Sequence, residues 1–478
     1  MTVPPTEPAS SRARLAPDLN SERARGAQRG RSSSVAAFLS FLWPGAGQWY
    51  RGRRRAALLY ALPVLAVAIV AIVQIVGGAQ DLALQLFAPS FSLTILILII
   101  LMGLWRLVAM LDAAATPRGW SGAAGRRTTS VLAVLAVVVV IVHGVGAYFT
   151  YSFYQAGSRI FVTEQPNEAV PGSGDPDQGP LVATPFATPK TRAARINVLL
   201  TGIDSGPGRN HSLSDTLIVA SIDPVTHKVA MVSFPRDIAN FPLYTGGRYT
   251  DKINSLMSYS GKHKDKFPDG PVNTLTRELG YLVGAPIHYY AAVDLDGFRR
   301  LIDKVGGVDI DNPRQISDPV YGGWTDKRPV GFSLSPGVHH LDGQSALAYV
   351  RSRKGTGDSD FSRARRQQQL LVALARKLSD PKMLPRLPDL LTVAGDTVRT
   401  NFPSDRLREM IELTQGVPDN AITQIVLGPP YSTRPKTKSS TYTLELNATK
   451  LAAVSIRVFG AESAYFEVAP GTFPPPGE

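Results

Sequence analysis

Three stretches of this chain run for more than twenty residues without a charged side chain: Ala56 to Gln80, Leu82 to Trp105 and Thr128 to Ser158. About 20 apolar residues in a helix cross the hydrocarbon core of a bilayer, and a helix satisfies its own backbone polar groups there. One such run also suits a buried helix of a soluble domain. Three within one short region predict transmembrane spans, at about 56–78, 87–107 and 130–151.

The basic segments orient them. Residues 1–32 read by composition as a disordered cytoplasmic tail, and the first 31 carry six arginines against three acids. Basic loops stay inside. The tail, Arg51 to Arg55, and the loop with Arg118, Arg126 and Arg127 are therefore all expected on the cytoplasmic side. Three crossings satisfy this and place everything after Tyr154 outside. The run at 33–50 is broken by Pro44, Gly45 and Gly47 and has basic flanks, so it is expected to be re-entrant rather than to cross. The membrane region is thus 33–154. The motif Pro44-Gly45-Ala46-Gly47-Gln48-Trp49-Tyr50 resembles a hairpin of several small membrane modules and implies no chemistry.

Residues 155–194 read as a stalk, with six prolines between Glu164 and Thr191. Beyond Arg195, short β-rich runs alternate with helical ones. INVLLTGID, DTLIVASID, KVAMVSFPRD, HYYAAVDL, GGVDID and SALAYVRSR read as strands, GFRRLIDKV and FSRARRQQQLLVALARKL as helices. The fold class expected is α/β, a mixed sheet covered by helices, following an all-α transmembrane region. This domain is expected over 195–430, with a C-terminal extension at 431–478.

Composition narrows the chemistry. There is no cysteine, which removes disulfides, thiolate zinc sites and cysteine nucleophiles. A net charge of +13 suits anionic partners: nucleic acid, phospholipid surfaces or phosphate-bearing substrates. GIDSGPGRNH fails the dinucleotide fingerprint at His211, and no phosphate-binding P-loop, H-E-x-x-H or nucleophile elbow occurs. His339 and His340 are adjacent and read as loop residues, not ligands.

What remains is a set of aspartates and arginines at element ends. Asp204 follows one strand and Asp215 begins the next, and sheet-end carboxylates facing one crevice suit a hard divalent cation completed by phosphate oxygens. Either aspartate alone also suits a turn or cap. Arg236 lies just past a strand. Arg351 and Arg353, two apart, are expected on one strand face. Arg363 and Arg366 share a helix face from which Arg365 points away. The guanidinium fork matches phosphate oxygens. Five arginines with two carboxylates predict a site for a pyrophosphate and its metal.

NVLLTGID, LSDTLIVASIDP, VSFPRDI, DKINS, GFRRLIDKVGGVDID, LDGQSALAYVRSR and DFSRARRQ, in this order over about Ile196 to Leu427, resemble the motifs of the LytR–CpsA–Psr family. The resemblance implies an extracytoplasmic phosphotransferase that moves a glycopolymer from a polyprenyl pyrophosphate carrier to peptidoglycan. Magnesium, or manganese, would sit at the phosphates on Asp204 and Asp215. Arg236, Arg351, Arg353, Arg363 and Arg366 would bind the pyrophosphate, with Gln367 and Lys252 beside them. Arg236 and Arg363 would also serve catalysis. Asp360 is either the general base or the cap of its helix. Family members usually carry arginines soon after the first aspartate and just before the second. Gly206 and Leu213 stand there instead, and Arg209 is the nearest replacement. The implied partners are a polyprenyl pyrophosphate-linked glycan, a peptidoglycan acceptor and membrane lipid, with no nucleic acid. A hydrolase using the same site and a lipid-binding regulator are the competing readings.

Overall fold

The computed structural model describes residues 32–115, 122–161, 195–204, 213–323, 330–355, 357–378, 380–414, 417–435 and 441–476. It contains two compact units, residues 1–79 with 94–148 and residues 80–93 with 149–478.

In the first unit, Ser33–Leu42 and Ala46–Tyr50 form two short helices. They are joined at Gly45, whose φ of 101° is open to glycine. Gly47 lies directly against the Ala36 carbonyl, where a side chain would collide. Gln48 is buried; it accepts from Ser40 Oγ at 2.9 Å and donates to the Ala109 carbonyl at 2.8 Å and Asp112 Oδ2 at 3.0 Å. The apolar runs are the helices Arg54–Gln85, Pro89–Ala114 and Gly122–Ile160, each longer than expected from sequence. All three are long and apolar enough to cross a membrane. Leu59, Val70, Val73, Ile100 and Val140 are exposed along them, as a lipid-facing surface requires.

The second unit is built on a six-stranded mixed sheet. Its strands are β1 (Ile196–Asp204), β2 (Leu213–Ile222), β3 (Val229–Ser233), β4 (Tyr289–Asp294), β5 (Val398–Thr400) and β6 (Ile422–Val426), in the spatial order β5-β4-β1-β2-β3-β6. β1 runs antiparallel to β2 and parallel to β4, and β3 runs parallel to β6. The carboxyl ends of β1, β3, β4 and β6 therefore share one edge of the sheet with the start of β2. The β1–β2 register shifts between Gly202 and Ile203, which is where Asp215 falls on the partner strand.

Both faces of the sheet are covered, which makes the fold α/β as expected. Leu199, Leu217, Val219, Val232 and Tyr290 face a core shared with the helices Leu256–Lys262, Pro271–Val283 and Ala448–Phe459. On the opposite face the helix Asp360–Leu378 is stapled down by Gln368, which donates to the carbonyls of Met231 and Ile425 and to Ser233 Oγ. A second apolar cluster joins Leu370 and Leu374 to Ile302, Val305, Leu347 and Tyr349.

Several sequence expectations change. SALAYVRSR is not a strand: Gly343–Arg351 is a helix, capped by Asp342, whose carboxylate accepts from Ser345 N at 2.7 Å. Ala346 to Val350 is an unbroken buried apolar run, which carries neither a helical nor a strand period. His339 and His340 lie in a strand, Gly337–Leu341, not a loop, and His340 Nδ1 sits 2.7 Å from Asp309 Oδ1. The third apolar helix continues to Ile160, into the region read as stalk, and packs there with Phe153, Phe161 and Leu391. Residues 431–476 are no appendage, because Leu444, Leu451, Val454, Phe459 and Tyr465 lie in the main core.

Candidate functional site

The shared sheet edge carries a cavity of about 420 Å³. Five cationic side chains line it, those of Arg236, Arg351, Arg353, Lys354 and Arg363, against the two carboxylates of Asp215 and Asp318. Leu213, Thr216, Leu295, Val320, Tyr321, Gly322, Val350 and Gln367 complete the wall.

The charged groups arrive from several different elements. Asp215 comes from the bulged start of β2 and Arg236 from the turn after β3. Arg236 Nη1 donates to Asp215 Oδ1 at 2.8 Å. Burial opposes ionisation of Asp215, but the guanidiniums of Arg236, Arg363 and Arg351 outweigh it and hold its pKa below the usual range. For Arg236, burial works against the charge and Asp215 and Asp360 more than restore it, so its pKa is raised. Burial is strongest on Arg363 and pulls its pKa down in spite of Asp360 and Asp215.

Asp360 opens the helix Asp360–Leu378 and gathers the arginines. Its Oδ1 lies 2.8 Å from Arg363 Nη2, 3.7 Å from Arg353 Nη1 and 3.8 Å from Arg236 Nε. It is not the cap, because Ser359 Oγ accepts from Ser362 N at 3.2 Å and Ser362 Oγ accepts from Ser359 N at 2.8 Å. The reading of Asp360 as a cap is therefore set aside. Asp237 lies beside this group, bonded to Lys252 and 3.8 Å from Arg236 Nε. Burial raises the Asp237 pKa; the Lys252 contact opposes this and the nearby charge of Asp360 adds to it.

Arg351 and Arg353 reach the cavity by a different route from the one expected. Arg351 ends the helix Gly343–Arg351 and donates to the Gly323 carbonyl at 3.2 Å. Arg353 lies in the following loop, which Asp318 organises: its Oδ2 accepts from Ser352 Oγ, Arg353 N and Lys354 N, each at 3.0 Å. Arg366, expected at the phosphates, does not line the cavity. It is buried, donates to both oxygens of Asp358 and to the Ser352 carbonyl, and lies 5.6 Å over the Tyr349 ring. Arg365 is exposed, as expected. Lys252 also stands off the cavity wall, held on Asp237.

Asp204 ends β1 opposite Leu213, within two residues of Asp215 across the ladder. Its side chain, and the whole of Arg209, Gly206 and His211, lie outside the described residues. Among the described residues no three His, Asp or Glu side chains gather at one point. Magnesium needs only one or two carboxylates when phosphate oxygens complete its shell; of the two expected ligands, the one whose side chain is described, Asp215, lines the cavity with its Oδ1 accepting from Arg236.

A second, apolar cavity of about 120 Å³ lies between the sheet and the helix Asp360–Leu378, lined by Leu200, Ala291, Val293, Phe298, Leu370 and Leu371 among others. Thr216, Leu295, Val350 and Gln367 line both cavities, so the two are adjacent and share a wall. A cationic cavity beside an apolar one suits an amphiphile with a multiply charged head.

Sequence reasoning missed Asp318, Tyr321 and Lys354. Asp318 sits before a proline, where a carboxylate reads as a turn residue.

Comparison with known proteins gives a consistent placement. The model of the LytR_cpsA_psr family matches residues 149–455. A protein named polyisoprenyl-teichoic acid–peptidoglycan teichoic acid transferase TagU from Oceanobacillus iheyensis is 31% identical over 234 residues, 49% of this chain and 67% of its own length. Its namesake from Bacillus mycoides is 30% identical over 220 residues, 46% of this chain and 64% of its own. The matched segment thus spans about two thirds of these relatives. Among solved structures, B. subtilis TagV aligns with 26% identity and a TM-score of 0.45, covering 59% of this chain and all of that one. With the family model covering more than half of its residues, the chain belongs to the LytR–CpsA–Psr family.

Proposed function

We propose that this protein is a membrane-anchored phosphotransferase that moves a glycopolymer from a polyprenyl pyrophosphate carrier to peptidoglycan. The observation that carries the reading is the adjacency of the two cavities, which share four wall residues. Five cations surround a space suited to a pyrophosphate, and an apolar cavity adjoins it between sheet and helix. A scaffold or regulator that only binds lipid needs the apolar cavity but not the ordered cations. The names of the relatives supply the substrate class.

In the proposed step, an acceptor sugar hydroxyl oxygen bonds to the phosphorus that carries the glycan. The bond from that phosphorus to the bridging oxygen breaks, and polyprenyl phosphate leaves with the electron pair. The hydroxyl proton passes to the Asp360 carboxylate. Arg236, Arg351, Arg353 and Arg363 neutralise charge that develops on the phosphate oxygens, positioned in advance by their buried partners. Magnesium or manganese on Asp215 and Asp204, when bound, would add Lewis-acid stabilisation of those same oxygens.

The domain acts outside the membrane in this proposal, with Met1 in the cytoplasm, on the strength of the arginine-rich loops. The test is transfer of a labelled lipid-linked glycan to peptidoglycan by the full chain in detergent, with and without divalent cation. Product on peptidoglycan supports transfer. Release of free glycan phosphate with no acceptor product would favour hydrolysis at the same site.

A further inference from the structure

We propose that Tyr442, with Arg434 stacked on it, forms the platform on which the acceptor saccharide rests beside Asp360. The inference deepens the transferase reading and rests on it.

The segment holding Tyr442 is fixed to the site by backbone pairing. Leu444 N donates to the Asp237 carbonyl at 2.9 Å, and Ala239 N donates to the Leu444 carbonyl at 2.8 Å. Glu445 accepts from Asn240 Nδ2 at 2.7 Å. Tyr442, two residues before Leu444, is thereby held alongside Asp237, itself the neighbour of Arg236. Burial raises the pKa of the Tyr442 hydroxyl, and the charges of Asp360 and Asp237 add to it while Arg434 opposes them. Arg236 Nε lies 3.8 Å from both Asp237 Oδ2 and Asp360 Oδ1, so the segment paired to Asp237 runs beside the group that holds both carboxylates. On the helix side, Gly428 lets the Phe361 ring close against its backbone, and this brings the start of the same C-terminal segment up to Asp360.

Neither Tyr442 nor Arg434 lines the phosphate cavity. They lie outside it, on the segment paired to Asp237, where a second substrate has to enter if the first fills the cavity. Tyr442 keeps 39% of its surface exposed, and the Arg434 guanidinium lies 4.4 Å over its ring. That cation–π contact fixes the ring. An aromatic ring with an open surface presents an apolar face to the C–H face of a pyranose, while neighbouring guanidinium and carboxylate groups bond its hydroxyls. The nearby carboxylates of Asp360 and Asp237 favour a neutral sugar over an anionic head group. A hydroxyl of that sugar would then lie between Asp360 and the phosphate.

The full chain in detergent tests this, with Tyr442→Ala, Arg434→Ala and Tyr442→Phe as variants. Lipid-linked donor and a soluble disaccharide-repeat peptidoglycan fragment are titrated separately. The KM for acceptor is expected to rise about tenfold in Tyr442→Ala and to recover in Tyr442→Phe, while the donor KM holds. An acceptor KM that stays put in Tyr442→Ala overturns the proposal, as does a parallel rise in both KM values. Binding of N-acetylglucosamine tetramer, followed by NMR, separates the two levels of the argument. Tyr442-dependent binding without any wild-type transfer sinks the transferase reading and leaves the platform. Transfer with tetramer binding indifferent to Tyr442 sinks the platform alone.

Discussion

Arg366 and Asp358 form a buried bidentate pair, with Nη1 2.9 Å from Oδ1 and Nη2 3.0 Å from Oδ2. Arg363, three residues earlier on the same helix, faces the cavity instead. The pair closes the loop after Arg351, so its contribution is to stability. Arg366→Ala leaves Asp358 with Arg314, Ser359 N and Ser362 Oγ but without its buried partner, and is expected to cost about 1.5–3 kcal/mol. Thermal unfolding of the isolated variant measures this, and an unchanged Tm would return Arg366 to the phosphate site.

Arg363 and Arg365 give the opposite contrast. Arg363→Lys keeps a charge but loses the planar fork at Asp360 and the cavity. Turnover is expected to fall by about 10²–10³-fold, the scale for removing one preorganised donor. Arg365→Ala, on the exposed helix face, should leave turnover as it is. Equal losses in the two variants would mean a diffuse basic surface rather than a site.

Asp318 accepts three hydrogen bonds through one oxygen, and two of them come from the backbone of the residues that carry Arg353 and Lys354. It acts through that loop. Asp318→Ala should raise the donor KM and leave the acceptor KM alone, with some loss of Tm from the unsatisfied N–H groups. An unchanged donor KM would show that the loop holds its shape without the carboxylate.

Glu278 is buried in the main core with Tyr244 N as its hydrogen-bond donor at 3.2 Å, and burial pushes its pKa up to about 8. The folded state therefore keeps a proton that the unfolded chain releases at ordinary carboxylate pH. Stability from this group is full below the unfolded pKa and is lost as pH rises towards about 8. Its slope is at most about 1.4 kcal/mol per pH unit. Glu278→Gln should remove that slope, so its Tm advantage over wild type widens from pH 5 to pH 8. Parallel Tm curves would show that Glu278 is ionised in the fold.

The membrane orientation has its own test. A reporter fused at residue 170 should read as external and one at Met1 as cytoplasmic, given the basic loops at 51–55 and 118–127. A cytoplasmic signal at residue 170 would remove the transferase reading with the topology.

Much of this was legible in the sequence because the signals were periodic or positional. The sheet strands alternate or run apolar between turns, and the helix Asp360–Leu378 shows its buried face by spacing. The cationic cluster was legible as a set of residue types at element ends. Its partition was not. Arg363 and Arg366 have the same spacing relation to a helix face, and only Asp358, brought back by a loop, decides which of them is consumed as structure. The stretch Ala346–Val350 has no period, so its strand reading failed while the position of Arg351 at an element's end survived. Asp318 and Tyr442 were invisible because their roles arise from contacts across long sequence separations.

The pairing of Leu444 with Asp237, and the hydrogen bond from the Tyr281 hydroxyl to the Pro474 carbonyl at 2.9 Å, tie early elements to residues made some two hundred positions later. The helix Pro271–Val283 therefore keeps part of its apolar side uncovered until Ala448–Phe459 follows it. The domain cannot reach its folded state piecemeal as it is made. Its cooperative folding waits for nearly the last stretch of polypeptide, and a chain cut near residue 430 would emerge as a substrate for quality-control proteases rather than as a shorter enzyme.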